Sequence, residues 1–192
     1  MSSVSPLLAQ QQPLLSQTPT LETERLVLRA PRGSDWPFWC DFWLSDRADH
    51  IRDVEPTEAL AWRAFGHAIG HWVMRGYGMF IITRRGDNTP IGMAGPWFPA
   101  GWPEQEIGWT LWDSTLEGQG YAAEAARAVV NYAFETLGWP TAVSYIAPAN
   151  QRSAVLAERL GARLDLDAVG PAGHNVRVYR HAIPAPRLEA AQ

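Results

Sequence analysis

Between Leu21 and Pro31 the chain reads LETERLVLRAP, with Leu26 and Leu28 turned one way and Arg25, Val27 and Arg29 the other. This is the period-two pattern of a half-buried strand. RGSDWPFWCDFW follows and predicts a short helix with Ser34 as its N-cap. From Thr57 to Arg75 a helical stripe carries Leu60, Ala64, His67, Ala68 and His71, and Gly76 and Gly78 stop it. Strands over Gly78 to Thr83 and Thr89 to Gly95 are joined by RRGDN, where Gly86, Asp87 and Asn88 supply turn chemistry. Pro90 sets the second strand to begin at a sheet edge or just after that residue. PWFPAGWPEQ is a loop, and EIGWTLW, Glu106 to Trp112, is a further strand. Gly120 to Leu137 is a helix closed by Gly138-Trp139-Pro140, and Ala142 to Ala147 is a strand. Asn150 to Leu160 is a helix ended by Gly161, and strands over Arg163 to Val169 and Asn175 to His181 flank the turn GPAGH.

The unit from Glu106 to Gly161 is strand–helix–strand–helix, which makes its two strands parallel with a right-handed crossover. The flanking strands read as hairpins. The expected fold is therefore α/β (α+β), one domain with a mixed central sheet of about seven strands and about four helices. The domain spans residues 20–182. Residues 1–19, rich in Gln, Ser and Pro, form a disordered or loosely docked tail, and residues 183–192 form a second tail.

Composition narrows the function. The 192 residues carry a net charge of −4, so the basic field of a general nucleic-acid binder is missing. The acidic balance also weighs against residence on a ribosome. No apolar run reaches the ~18 residues that span a membrane. Cys40 is the single cysteine and sits among aromatics in PFWCDFW, which reads as a buried, inert thiol and fits a cytoplasmic protein. His67 and His71 have a metal-compatible spacing, but no third ligand accompanies them, so no metal is expected.

Gly118-Gln119-Gly120-Tyr121-Ala122-Ala123 fits the dinucleotide fingerprint Gly-x-Gly-x-x-Gly/Ala. Its context does not. The next strand, AVSYIAP, lacks the acidic residue that would hold a ribose, and no Gly-Lys-Ser/Thr follows the glycines. What remains is glycine backbone leading into a helix N-terminus, which suits a phosphate or pyrophosphate. A tight packing turn is the other reading of the same spacing. Asn150 and Ser153 form Asn-x-x-Ser at a helix start, a capping pattern.

EIGWTLW, EGQGYAAEA and NQRSAVLAERLGA together resemble the GNAT superfamily of N-acetyltransferases, in the branch similar to ribosomal-protein N-terminal acetyltransferases. LETERLVLRAP resembles that branch's opening strand, and the likeness covers residues 20–182. The resemblance implies a GNAT fold whose parallel central strands splay apart around acetyl-coenzyme A. The cofactor would meet backbone groups of Thr110, Leu111 and Trp112, the pyrophosphate loop Gly118, Gln119, Gly120, Tyr121 and Ala122, and Asn150. Glu117 departs from the Arg or Gln that opens the family's loop. Arg127 and Arg152 either reach phosphates or lie on the surface.

The resemblance further implies direct attack of an amine on the thioester, with Glu106 as general base, Glu104 in reserve, and Ser153 serving the sulfur. A solvated strand-edge carboxylate is the plainer reading of Glu106. Many relatives place a Tyr seven residues after the Asn, where this chain has Ala157. The acceptor is a small-molecule amine or a peptide N-terminus, with Trp97, Phe98 and Trp102 as candidate walls. A non-catalytic acyl-coenzyme A sensor is the alternative, and binding of a nicotinamide cofactor is not expected. A Trp-rich surface is either a homodimer face or a pocket wall. His174 is expected to face solvent.

Overall fold

A computed structural model describes residues 15, 17–52 and 54–183. The tails are expected over residues 1–19 and 183–192; of these, residues 1–14, 16 and 184–192 lie outside the described set, whereas Leu15 packs against the core.

Eight strands form a single mixed sheet in the order β1-β2-β3-β4-β5-β6-β8-β7. They are β1 (Leu21–Glu22), β2 (Leu26–Arg29), β3 (Phe80–Arg84), β4 (Asp87–Trp97), β5 (Glu106–Leu111), β6 (Ala142–Ile146), β7 (Arg163–Leu164) and β8 (Arg177–His181). The helices are α1 (Trp36–Leu44), α2 (Glu58–Arg75), α3 (Tyr121–Asn131) and α4 (Gln151–Arg159). All pairings are antiparallel except β5 with β6.

Alternation along β3 shows how the sheet splits the core. Phe80 and Ile82 turn to the side where α3 packs with Ala125 and Val129, and Ile81 turns to the tryptophan-rich side formed by α1 and α2. On α2 the buried stripe is Ala61, Phe65, Ala68 and Trp72 with His71, one residue round from the expected one, and His67 stays exposed. Thr57 caps this helix by accepting Leu60 N–H, and Gly76 ends it at φ 76°.

Several expectations are corrected. The single strand expected from Leu21 is a hairpin, because Thr23 Oγ1 accepts Leu26 N–H (2.9 Å) and folds the chain back; this adds the eighth strand. Arg29 does not face water. It is 6% exposed and gives both Nη1 and Nη2 to Asp35 at 2.8 Å, so the polar face of β2 hides an ion pair. Ser34 lies in a 3-10 turn, and Asp35 precedes α1 instead. The hairpin turn between β3 and β4 is Arg85-Gly86, with Asp87 and Asn88 already in strand. Pro90 stands inside β4 opposite Thr83 at a register break, the kind of irregularity where a residue without an N–H is tolerated. The helix expected to run unbroken to Leu137 changes after Asn131 into one π turn, Tyr132–Thr136, where Leu137 N–H reaches Tyr132 O at 3.0 Å. The strand expected over Arg163 to Val169 shrinks to two residues, because Asp165 turns its carboxylate to Arg180 Nε (2.7 Å).

Candidate active site

The parallel pair β5–β6 holds together at one position, Glu106 opposite Val143, where Val143 N–H donates to Gln105 O (2.9 Å). Beyond it the ladder fails. The Ile107 carbonyl, which a continued ladder would pair with Tyr145 N–H, instead accepts Ser144 Oγ–H at 2.7 Å. Tyr145 N–H turns to the Glu106 carboxylate. Side chains thus end the pairing and the strands open into a V. Ser144 Oγ has spent its proton on Ile107, so His181 Nε2, 2.9 Å away, donates to it, leaving buried Nδ1 without a partner. Burial pushes the His181 pKa down to about 4.

The V opens into a cavity of about 410 Å³ that brings together Glu106, Thr110, Asn150 and Ser153. Glu106 keeps a partial opening to this cavity but has protein on its other sides, and desolvation raises its pKa to about 7. Trp102 Nε1 donates to its Oε2 at 2.7 Å. Glu104 is not a second base: Arg180 holds both its oxygens, at 2.7 and 2.9 Å.

Asn150 caps α4, its Oδ1 accepting Ser153 N–H at 3.1 Å, and this leaves the Ser153 side chain on the cavity wall. Ala157, one turn on, is fully buried against Ile146 and Tyr179, so Ser153 is the one hydroxyl that α4 offers.

Two of the three backbone contacts expected on β5, at Thr110 and Trp112, need correction. Trp112 N–H donates to Ile91 O (3.0 Å), and strand alternation turns Thr110 toward β4 as well. The open edge belongs to Trp109 and Leu111, and the Leu111 carbonyl already accepts Arg47 Nη2 at 2.9 Å. The Trp112 ring is buried against Trp39 and Phe42.

At the loop, Gly118 (φ 74°) and Gly120 (φ 83°) adopt the left-handed conformation. A Cβ on Gly118 would meet nothing within 4 Å, so an open approach exists on that side. The first helical bond of α3 is Glu124 N–H to Gly120 O, leaving the N–H groups of Tyr121, Ala122 and Ala123 without helical acceptors. Arg25 fixes the loop from beneath: Nη1 binds Gln119 O (2.9 Å), its guanidinium stacks 4.7 Å from the Tyr121 ring centroid, and Nε binds Glu124 (2.6 Å). Glu117 pairs with Arg47 (2.8 Å) and Arg152 (2.5 Å), so the carboxylate that replaces the family's Arg or Gln is neutralised by two guanidinium groups. Free helix N–H groups, open glycine backbone and nearby arginines are a donor set that fits the diphosphate of coenzyme A.

The sequence matches the family described as "Acetyltransferase (GNAT) domain" over residues 25–163. The chain belongs to the GNAT acetyltransferases. The GNAT fold here is similar to an acetyltransferase from Agrobacterium tumefaciens str. C58 (38% identity, TM-score 0.80, covering 90% of this chain and 99% of that one). It is also similar to a putative GNAT-family acetyltransferase from Bordetella pertussis (29% identity, TM-score 0.70, 85% and 99%). A ribosomal L7/L12 α-N-protein acetyltransferase, RimL, solved in complex with coenzyme A, shares the fold at 23% identity (TM-score 0.67, 86% and 98%). Acetyl-coenzyme A is the cosubstrate of GNAT acetyltransferases.

Of the remaining candidates, Trp97 and Trp102 line the cavity, whereas Phe98 packs under Arg75, 5.0 Å from its ring centroid. His71 uses both nitrogens on backbone, Nδ1–H to Tyr77 O (2.7 Å) and Nε2 from Phe98 N–H (2.9 Å), and burial lowers its pKa. Among the described residues no three His, Cys, Asp or Glu side chains converge as a metal site would require. His174 is exposed, as expected, and it also lines the cavity, with its ring 5.4 Å from that of Trp102. Arg47 and the Tyr145 amide carry no sequence signal, because a turn and a distant strand bring them in. Among the described residues no helix is long and apolar enough to cross a membrane.

Proposed function

We propose that this GNAT protein is an N-acetyltransferase that moves the acetyl group of acetyl-coenzyme A to a primary amine by direct attack. The observation that carries this is the placement of Glu106: a desolvated carboxylate at the point of the V, in one cavity with Asn150 and Ser153. The cosubstrate supplies an acetyl thioester. Gly118 to Ala122 and the N-terminus of α3 hold its diphosphate, and the open edge of β5 at Trp109 and Leu111 receives the arm that follows. Glu106 takes a proton from the incoming ammonium. The neutral nitrogen then forms the C–N bond as the C–S bond breaks. Ser153 donates a proton to the departing sulfur, and the second nitrogen proton returns through solvent to the serine, so amide and free thiol are the products. A carboxyl group with a pKa of about 7 is half ionised at neutral pH, which suits a group that must accept a proton there.

The test joins two measurements. Acetyl-coenzyme A at ~100 times its Kd is expected to stabilise the protein by about 2.7 kcal/mol in a thermal melt. Glu106→Gln is expected to keep that shift and to lose ~10²–10⁴-fold in kcat. A cofactor-dependent melt shift without turnover of any amine would favour the sensor reading instead.

A further inference from the structure

The acceptor end of the cavity is more specific than a general amine site, and its chemistry is written in three features that rest on the transferase reading. First, Glu106 stands between two indoles that are fixed independently. Trp97 is its direct cross-strand partner on β4, so both side chains rise from the same face of the sheet. The Trp97 ring stacks on His71 (4.4 Å, 18°) and meets His67 edge-on (4.8 Å), and His71 is itself immobilised by two backbone bonds. Trp102 is tied by its Nε1 to Glu106 and packs on His174 at 5.4 Å. Rigid indole faces beside a carboxylate form a receptor for an ammonium group, with little ordering left to do on binding.

Second, the wall behind the indoles is apolar: Trp39, Trp43, Met79 and Met93. Third, the charges are few. Among the described lining residues the carboxylates are Glu106 and Asp49, and Asp49 Oδ1 is held by Arg52 Nη2 at 2.5 Å. The same described lining carries no Arg or Lys. A second ammonium would thus meet only a carboxylate already in an ion pair, and an acceptor carboxylate or phosphate would meet the imidazoles of His50, His67 and His174 rather than a guanidinium or a lysine ammonium. A peptide acceptor would have to thread its backbone past the indole faces of Trp97 and Trp102.

We propose that the acceptor is a free primary monoamine on a compact apolar body, aromatic or branched alkyl, held as its ammonium between Trp97 and Trp102. Polyamines, free amino acids and peptide N-termini are then poor acceptors.

The experiment measures acetyl-coenzyme A-dependent thiol release with phenethylamine, phenylalanine, spermidine and an alanine-initiated tetrapeptide. Phenethylamine and phenylalanine differ only by the carboxylate. Phenethylamine is expected to exceed each of the others in kcat/KM by roughly ten-fold or more. Trp97→Leu is expected to raise its KM roughly ten-fold, with kcat and the KM for acetyl-coenzyme A unchanged, and Trp97→Phe to recover part of the loss. Preference for phenylalanine, spermidine or the peptide overturns the proposal while leaving the transferase reading intact. So does a Trp97→Leu variant whose amine KM is unmoved or moves together with that for acetyl-coenzyme A. Thiol release with none of the four, despite a melt shift with acetyl-coenzyme A, overturns this proposal, and the transferase reading falls only when no other amine turns over either.

Discussion

Glu106 and Glu104 are two residues apart, and tertiary contacts give them opposite environments. Glu104 is locked in a two-pronged pair with Arg180, whereas Glu106 is desolvated beside Trp102 and raised to about pKa 7. A titrating base of this kind makes kcat/KM climb with pH through an apparent pKa near 7, and Glu106→Gln abolishes that limb; a pH–rate series on both proteins checks it. Stability moves the other way. The folded pKa lies above the unfolded value of 4.5, so the folded state binds the extra proton. The contribution of Glu106 is therefore fully present below pH 4.5 and lost as pH rises through 7. Glu106→Gln gains stability relative to the parent protein between those limits, readable from urea midpoints at pH 5 and pH 8. Glu104→Gln leaves turnover within about two-fold, because its carboxylate touches no reacting atom.

At the scale of the element, polar side chains decide where strands and helices begin and end. The Arg29–Asp35 pair ties the end of β2 to the turn before α1, and Asp35 also accepts Arg32 N–H at 2.8 Å. Both partners are nearly inaccessible, with side-chain exposures of 7% and 2%, so removing one strands a buried charge. Asp35→Ala is expected to cost ~3–5 kcal/mol in a urea titration, and Arg29→Met with Asp35→Leu to recover most of it. The Gly118–Ala122 loop, proposed to hold the diphosphate, obeys the same logic. Gly120→Ala forces a side chain into φ 83° and against Arg25 Nη2 at 3.3 Å. The expected result is weaker coenzyme A binding by calorimetry with α3 still folded, because the change falls ahead of the helix.

Across the whole molecule, the V between β5 and β6 depends on a buried relay of Ile107, Ser144 and His181 that joins the two halves of the sheet. His181 is 4% exposed with its pKa pushed down to about 4, below the ordinary 6.5, so the unfolded chain binds the extra proton. Its contribution is full above pH 6.5 and is lost as pH falls toward 4. At ~1.36 kcal/mol per pK unit this is about 3 kcal/mol. His181→Gln is expected to flatten the pH dependence of unfolding free energy between pH 4 and 6.5 relative to the parent protein, measured by urea titration at several pH values. Buried His71, lowered in the same direction, adds to the acid sensitivity that remains.

Local physics made much of this protein legible from its sequence. Alternation marks β2, helical period and caps mark α2 and α4, and Gly118 and Gly120 mark a backbone that only glycine adopts readily. Those signals are short-range, and they place Glu106 at the start of β5 and Asn150 and Ser153 at the start of α4. Only the tertiary structure decided how those ends are used. Trp112 and Thr110 turn toward β4 rather than the open edge, since strand register sets which way a backbone faces. Glu117 is tolerated because Arg47 and Arg152, 70 positions before and 35 after it, converge on its carboxylate. The Glu106 pKa rises because packing from distant parts of the chain desolvates its carboxylate, an effect that outweighs the hydrogen bonds from Trp102 and the Tyr145 amide. Desolvation and charge pairing depend on everything packed around a group, and that neighbourhood is assembled from distant parts of the chain.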